Sequence, residues 1–208
     1  MSADTPQGRL REQLRQKRTD LILEAAEEML IRKGYYNASM DEIAAQAGVA
    51  KGTLYQHFPA KEDLFFALIE KALARFEQVV QQAAFSSDNA WQKLERIMSY
   101  VYGEHRGEHI YLLQLLRRNG ELSQRLQAKK SRSAERLNQV VGQIRRIVEE
   151  GKAEGRFTTT VATDLIVHFF LHMLAFSGDE HLLDGPERMP EELVPQLERL
   201  LFQGIQSL

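Results

Sequence analysis

Ser39-Met40-Asp41-Glu42-Ile43-Ala44-Ala45-Gln46-Ala47-Gly48-Val49-Ala50-Lys51-Gly52-Thr53-Leu54-Tyr55-Gln56-His57-Phe58 is the stretch on which the fold turns. Ser39 and Glu42 have the spacing of a capping box, in which the hydroxyl accepts from a backbone N–H and the carboxylate reaches back. They open a short helix over about Met40 to Ala47, which Gly48 ends. A second short helix runs from about Lys51 to His57 and stops before Pro59, whose ring removes a donor and restrains the residue ahead of it. Ile43, Ala44 and Ala47 fall on one face, Val49 plugs the corner, and Leu54 and Phe58 anchor the second helix. Lys51, Gly52, Thr53, Tyr55, Gln56 and His57 are left toward solvent. Two helices held in this way form a helix-turn-helix, whose second helix enters a major groove by its N-terminal end. From Ile43 through Lys61 there is no acid, which suits a polyanion.

Outward from this block, nearly every segment repeats with helical period. Ile22, Ala25, Ala26 and Met29 mark a first helix, which stops at Gly34, a residue suited to a left-handed cap. Phe65, Leu68, Ile69, Phe76, Val80 and Ala83 carry a long helix ending in the linker Ser86-Ser87-Asp88-Asn89. Leu94, Ile97, Met98 and Val101 form the next stripe, and a short helix spans Ile110 to Leu116. Leu137, Val140, Ile144, Ile147 and Val148 mark another long helix, ending near Gly151 or Gly155. Val161 to Ser177 is apolar on more than one face, so it is expected to be buried on two sides. Leu193, Leu197, Leu200 and Leu201 close the series. The expectation is an all-α chain of about nine helices. Its segments are a basic N-terminal extension (1–18), a helix-turn-helix domain (19–64) and a C-terminal helical domain (65–208).

Composition agrees. In 208 residues, 43% hydrophobic, there are five prolines, thirteen glycines and no cysteine, which leaves no disulfide, thiolate metal site or cysteine nucleophile. The first residues lack the apolar run of a signal peptide, and no stretch is long and apolar enough to span a membrane, so a cytoplasmic protein with no membrane partner is expected. The net charge of −2 hides local patches: Arg9, Arg11, Arg15, Lys17 and Arg18 stand against Glu12 alone between residues 9 and 18. Such patches, not the total, act on phosphates at short range. The stripe Arg125, Lys129, Arg132 and Arg136 reads as a solvated helix face, with an ion-pair surface as the alternative.

Ile43-Ala44, Ala47-Gly48-Val49, Gly52-Thr53-Leu54-Tyr55, His57-Phe58, Lys61-Glu62 and Leu64, in this order after a helix ending in Lys33-Gly34-Tyr35, resemble the signature of the TetR family of repressors. The resemblance covers roughly residues 21–68; beyond, it is one of architecture. It implies an all-α homodimer on a two-fold symmetric operator of double-stranded DNA, released by a small-molecule effector in the C-terminal domain. It also implies roles at matching positions. Lys51, Gly52 and Thr53 would meet base edges, Tyr55, His57 and Lys61 phosphates, and Ser39 would cap a helix facing a phosphate. Two residues depart from the pattern: Ala50 and Ala60 stand where relatives often carry a serine that caps or donates. Plainer roles remain open for Tyr55, as a half-buried structural aromatic, and for His57, as a cap on its helix.

The second half offers no phosphate loop, His-Glu-x-x-His or Gly-x-Ser-x-Gly, so no enzyme and no cofactor is expected. His168 and His172 share a helix face at the spacing of two metal ligands, with His105 or His109 as third, but polar lining of a pocket or interface is the better reading and no metal is expected. A pocket needs an apolar hollow with a few polar groups; the candidates are Ile97, Tyr100, Val101, His105, Tyr111, Gln114, His168 and His172. Phe169, Phe170, Met173, Leu197 and Leu201 on the last two helices are candidates for a dimer interface. An architectural DNA-binding protein without effector, and a helical enzyme whose first helices only resemble a reader, are the alternatives.

Overall fold

The computed structural model describes residues 6–102 and 132–175, together with positions 120, 124, 199, 203 and 204. Seven helices run through them: α1 (Pro6–Asn37), α2 (Met40–Gln46), α3 (Lys51–His57), α4 (Lys61–Ala84), α5 (Ala90–Tyr102), α6 (Arg132–Ala153) and α7 (Thr163–Ala175). They correspond to seven of the expected helices. The other two, near Ile110–Leu116 and Leu193–Leu201, lie outside the described residues, as do His105, His109, Tyr111, Gln114, Arg125, Lys129, Leu197 and Leu201. The fold is all-α, with no extended strand among the described residues. No helix among them is long and apolar enough to cross a membrane.

The first helix is longer than its apolar pattern. α1 begins at Pro6, so the segment expected as a basic N-terminal extension continues the packed helix that starts near Ile22. Propagating an existing helix fixes one residue per hydrogen bond with no new nucleus, and Arg, Glu, Gln, Lys and Leu are all good formers. Proline suits the first turn, where its missing N–H costs nothing. Arg9, Arg11, Arg15, Lys17 and Arg18 are all exposed. At the other end Gly34 breaks the helix with φ 79° and ψ 160°. The positive φ is as expected, but this ψ is not that of a left-handed cap; it belongs to a region that glycine alone enters readily. One further turn follows, with the Ala38 N–H donating to the Gly34 carbonyl at 3.1 Å.

The chain divides into two compact units, Met1–Lys71 and Ala72–Leu208, and α4 begins in the first and ends in the second. The boundary read from the sequence, after Leu64, also lies inside α4. In the first unit Ile22, Ala26, Ile43, Leu54, Leu64, Phe65 and Leu68 are buried. In the second, Val80, Leu94, Ile97, Met98, Val101, Ile144, Ile147, Phe157 and Phe170 belong to one core. The segment before α5 is more than a linker. Asn89 and Gln92 cap the helix reciprocally, Asn89 N–H to Gln92 Oε1 at 3.2 Å and Gln92 N–H to Asn89 Oδ1 at 3.1 Å.

Two features of the second unit correct the sequence reading. Arg136 does not belong to a solvated stripe: it is part-buried and bonded to Glu77 of α4. On α7, the successive residues Phe169 and Phe170 point apart, because each step along a helix turns about 100°. Phe170 (0% exposed) and Met173 (6%) lie in the unit's own core, whereas Phe169 is 54% exposed. The outer face of α7 carries Leu165, His168, Phe169 and His172, all exposed.

Candidate nucleic-acid interface

The site is built on α2 and α3. Ser39 sits at the N-cap of α2 in extended conformation, and both halves of its capping box are present. Its Oγ accepts from the Glu42 N–H at 3.2 Å and donates to Glu42 Oε2 at 3.0 Å. Lys33 Nζ reaches the same carboxylate at 2.6 Å. These bonds, the lysine's first, hold the Glu42 carboxyl below its ordinary pKa. Gly48 makes the turn with φ +67°, and the Val49 N–H donates back to Ala44 at 3.0 Å. Ala50 caps α3 with no side-chain bond, as expected of alanine. Leu54 (0% exposed) and Phe58 (7%) hold α3 by its inner side.

The opposite side of α3 is open. Lys51, Gly52, Tyr55 and Gln56 are exposed, and Thr53 and His57 are half-buried. A Cβ added at Gly52 would meet nothing within 4 Å. No internal packing therefore calls for glycine there, although glycine in a helix costs about 0.5–1 kcal/mol against alanine.

Three of the proposed contacts already have partners inside the protein. Lys51 Nζ lies 2.7 Å from Asp41 Oδ2 and 6.0 Å from the centre of the Tyr55 ring. The hydrogen bond to Asp41 raises the proton affinity of that ammonium. His57 Nδ1 is 3.0 Å from Thr19 Oγ1 on α1. Burial first, then the charges of Arg15 and Arg18, push its pKa below the ordinary 6.5. Lys61 donates to the Ala38 carbonyl at 2.5 Å and lies 4.6 Å from the centre of the Tyr35 ring. Burial lowers its pKa. Lys61 thus ties the start of α4 to the α1–α2 connection. Asp41, Thr19 and Tyr35 were not legible as site residues: none lies at helical spacing from its partner, and only the turns between helices bring them together.

Of the pocket candidates that fall within the described residues, Ile97 (0% exposed) and Val101 (4%) are buried in the core of the second unit and Tyr100 packs against it. His168 and His172 stack at 6.5 Å on the exposed face of α7, away from that core. No group of three metal-binding side chains occurs among the described residues.

Residues 22–68 match the family model described as bacterial regulatory proteins of the tetR family. The chain is 31% identical over 109 residues to the fatty acid metabolism regulator protein of Bacillus subtilis, a match covering 50% of this chain and 56% of that one. It thus spans little more than half the length of that relative. It is 26% identical over 181 residues to the HTH-type transcriptional repressor NicS of Pseudomonas putida, covering 85% and 83%. Among solved structures it resembles the transcriptional regulator FadR from Bacillus subtilis in complex with stearoyl-CoA, with a TM-score of 0.68 and 25% identity over 89% of this chain and 98% of that one. Over residues 22–68 the chain carries the domain of the tetR family of bacterial regulatory proteins, and over most of its length it is similar in fold to a regulator of that kind.

Proposed function

We propose that this protein is a homodimeric transcriptional repressor that binds a two-fold symmetric DNA operator through α3 and leaves it when a small molecule binds in the second unit. The observation that carries the reading is the outer side of α3: a helix held from behind by Leu54, free of acids, with a glycine that nothing inside the protein requires. In this reading Gly52 and Thr53 approach base edges, with Lys51 released from Asp41 to join them, while Tyr55 and His57 meet phosphates. Ser39 holds the N-terminus of α2 toward a phosphate. Lys61 acts by fixing the start of α4, since its ammonium is already bonded.

The exposed face of α7 is the proposed dimer surface: Leu165 is 62% exposed and Phe169 54%, large apolar groups that a second copy would cover. Two α3 helices joined in this way would meet half-sites one helical turn apart, roughly 34–36 Å. α4 would carry the effector signal, since its first residues belong to the DNA-reading unit and its last to the second. An effector can shift this equilibrium only by binding the released arrangement more tightly. Fatty acyl-CoAs are the first effectors to test, because the similar Bacillus subtilis regulator was solved with stearoyl-CoA.

Selection of bound duplexes from random sequence, repeated with acyl-CoAs present, tests the reading. A short palindrome should emerge and lose protection when the effector is added. Coating without sequence preference would point to an architectural protein instead, and absence of binding would overturn the proposal.

A further inference from the structure

Several cations of the first unit are committed inside the protein: Lys33 to Glu42 at 2.6 Å, Lys51 to Asp41 at 2.7 Å, and Lys61 to the Ala38 carbonyl at 2.5 Å. Arg15 and Arg18 differ. Both are exposed, and neither forms an ion pair among the described residues. Spaced i and i+3, they share one face of α1. Thr19, beside Arg18 and one turn beyond Arg15, fastens that face to the last residue of α3 through its 3.0 Å contact with His57 Nδ1. The acids on this stretch of α1 are Glu12 and Asp20, and Asp20 accepts from Gln16 at 3.1 Å.

We propose that Arg15, Arg18 and His57 form one site for a backbone phosphate of duplex DNA, making the N-terminal part of α1 a second clamp beside α3. The proposal rests on the DNA-binding reading above, which already sets His57 on a phosphate, and adds Arg15 and Arg18 of α1 to that same contact. Guanidinium groups suit a phosphate because their planar donors match its oxygens in pairs. The imidazole supplies a third donor at Nε2, which has no hydrogen-bond partner among the described residues. The Thr19 hydroxyl carries one proton and also lies 3.1 Å from the Arg15 carbonyl. When the ring is protonated, Nδ1–H donates to Thr19 Oγ1, the hydroxyl donates to the Arg15 carbonyl, and Nε2–H remains as a further donor. Without an anion, burial and the two arginines oppose that proton; a phosphate among the three groups reverses the sign of the local charge. The helical form of residues 6–18 is essential to the idea, since a disordered arm would not hold two guanidiniums against the end of α3.

The test uses the full-length protein and a fluorescently labelled duplex of mixed sequence, with affinity measured by anisotropy across roughly 50–200 mM salt. In Arg15→Gln/Arg18→Gln the slope of log affinity against log salt should become shallower by about 0.9 per protomer, the loss of one phosphate contact. Arg146→Gln, which removes an exposed cation from α6, should leave the slope unchanged. His57→Gln should weaken binding, and adding it to the double variant should weaken binding less than adding it to wild type, because the three groups share one phosphate. A steep wild-type slope retained by the double variant overturns this site and leaves the DNA-binding reading intact. Failure of the wild-type protein to bind the duplex overturns both.

Discussion

Replacing Gly52 with alanine should make the protein more stable and a poorer DNA binder. The residue lies in the first turn of α3 without a positive φ, and an added Cβ would have no neighbour within 4 Å. The folded state therefore accepts the methyl group without strain, while the unfolded chain loses conformational freedom. The gain should be about 0.5–1 kcal/mol, less at the end of a helix than in its middle. In a chain of this size that raises the melting temperature by about 1–4 °C. Bound to DNA, the same methyl group would stand between the α3 backbone and the base edges. Moving the helix outward by one methyl radius lengthens every hydrogen bond made from its N-terminal turn, so affinity should fall on the order of tenfold, or about 1.4 kcal/mol. Differential scanning calorimetry gives the first quantity and anisotropy on a selected operator the second. Unchanged affinity would mean that α3 does not approach DNA by this end; a lowered melting temperature would mean that the space around Gly52 is not open.

Other substitutions test other parts of the structure. Ser39→Ala removes the side-chain half of the capping box and should cost about 1 kcal/mol in chemical denaturation; no loss would show that Glu42 and Lys33 hold the turn unaided. In Gly151→Ala the new Cβ would fall 2.1 Å from the Phe157 ring, which is 1% exposed and has nowhere to move, so a loss of about 1–3 kcal/mol is expected. Phe169→Glu should yield monomers by light scattering, and a persistent dimer would place the interface elsewhere. The His57 pKa is lowered in the folded protein. Its contribution to stability is therefore complete above the unfolded value of about 6.5 and is lost as pH falls through the lower folded value. Between about pH 7.5 and 5 the melting temperature of DNA-free wild type should fall more than that of His57→Gln; equal slopes would show that the ring is not held neutral.

Local rules made much of this protein legible. The capping box at Ser39, the glycine turn at Gly48 and the proline stop after Phe58 each act within a few residues, and α2 and α3 begin and end within one residue of their expected bounds. The same rules undercounted α1, because its first turns have no apolar stripe. They are helical because they extend a helix that Ile22, Ala26 and Met29 bury.

Sequence by itself determined the helical class, the two-helix reader and which face of α3 is turned outward, since periodicity and capping are properties of adjacent residues. The assignment of each charge was decided only by the tertiary structure. From the sequence, Lys51 read as a cation for base edges and Lys61 as one for phosphate. Folding gives the first to Asp41 and the second to the Ala38 carbonyl, while among the described residues Arg15 and Arg18 have no ion pair on the helix that Thr19 fastens to His57. It likewise turns Phe170 into the core and Phe169 to the surface. Coulomb and packing energies fall off over a few ångströms of space, and residues far apart in sequence come within that range only when the helices have packed.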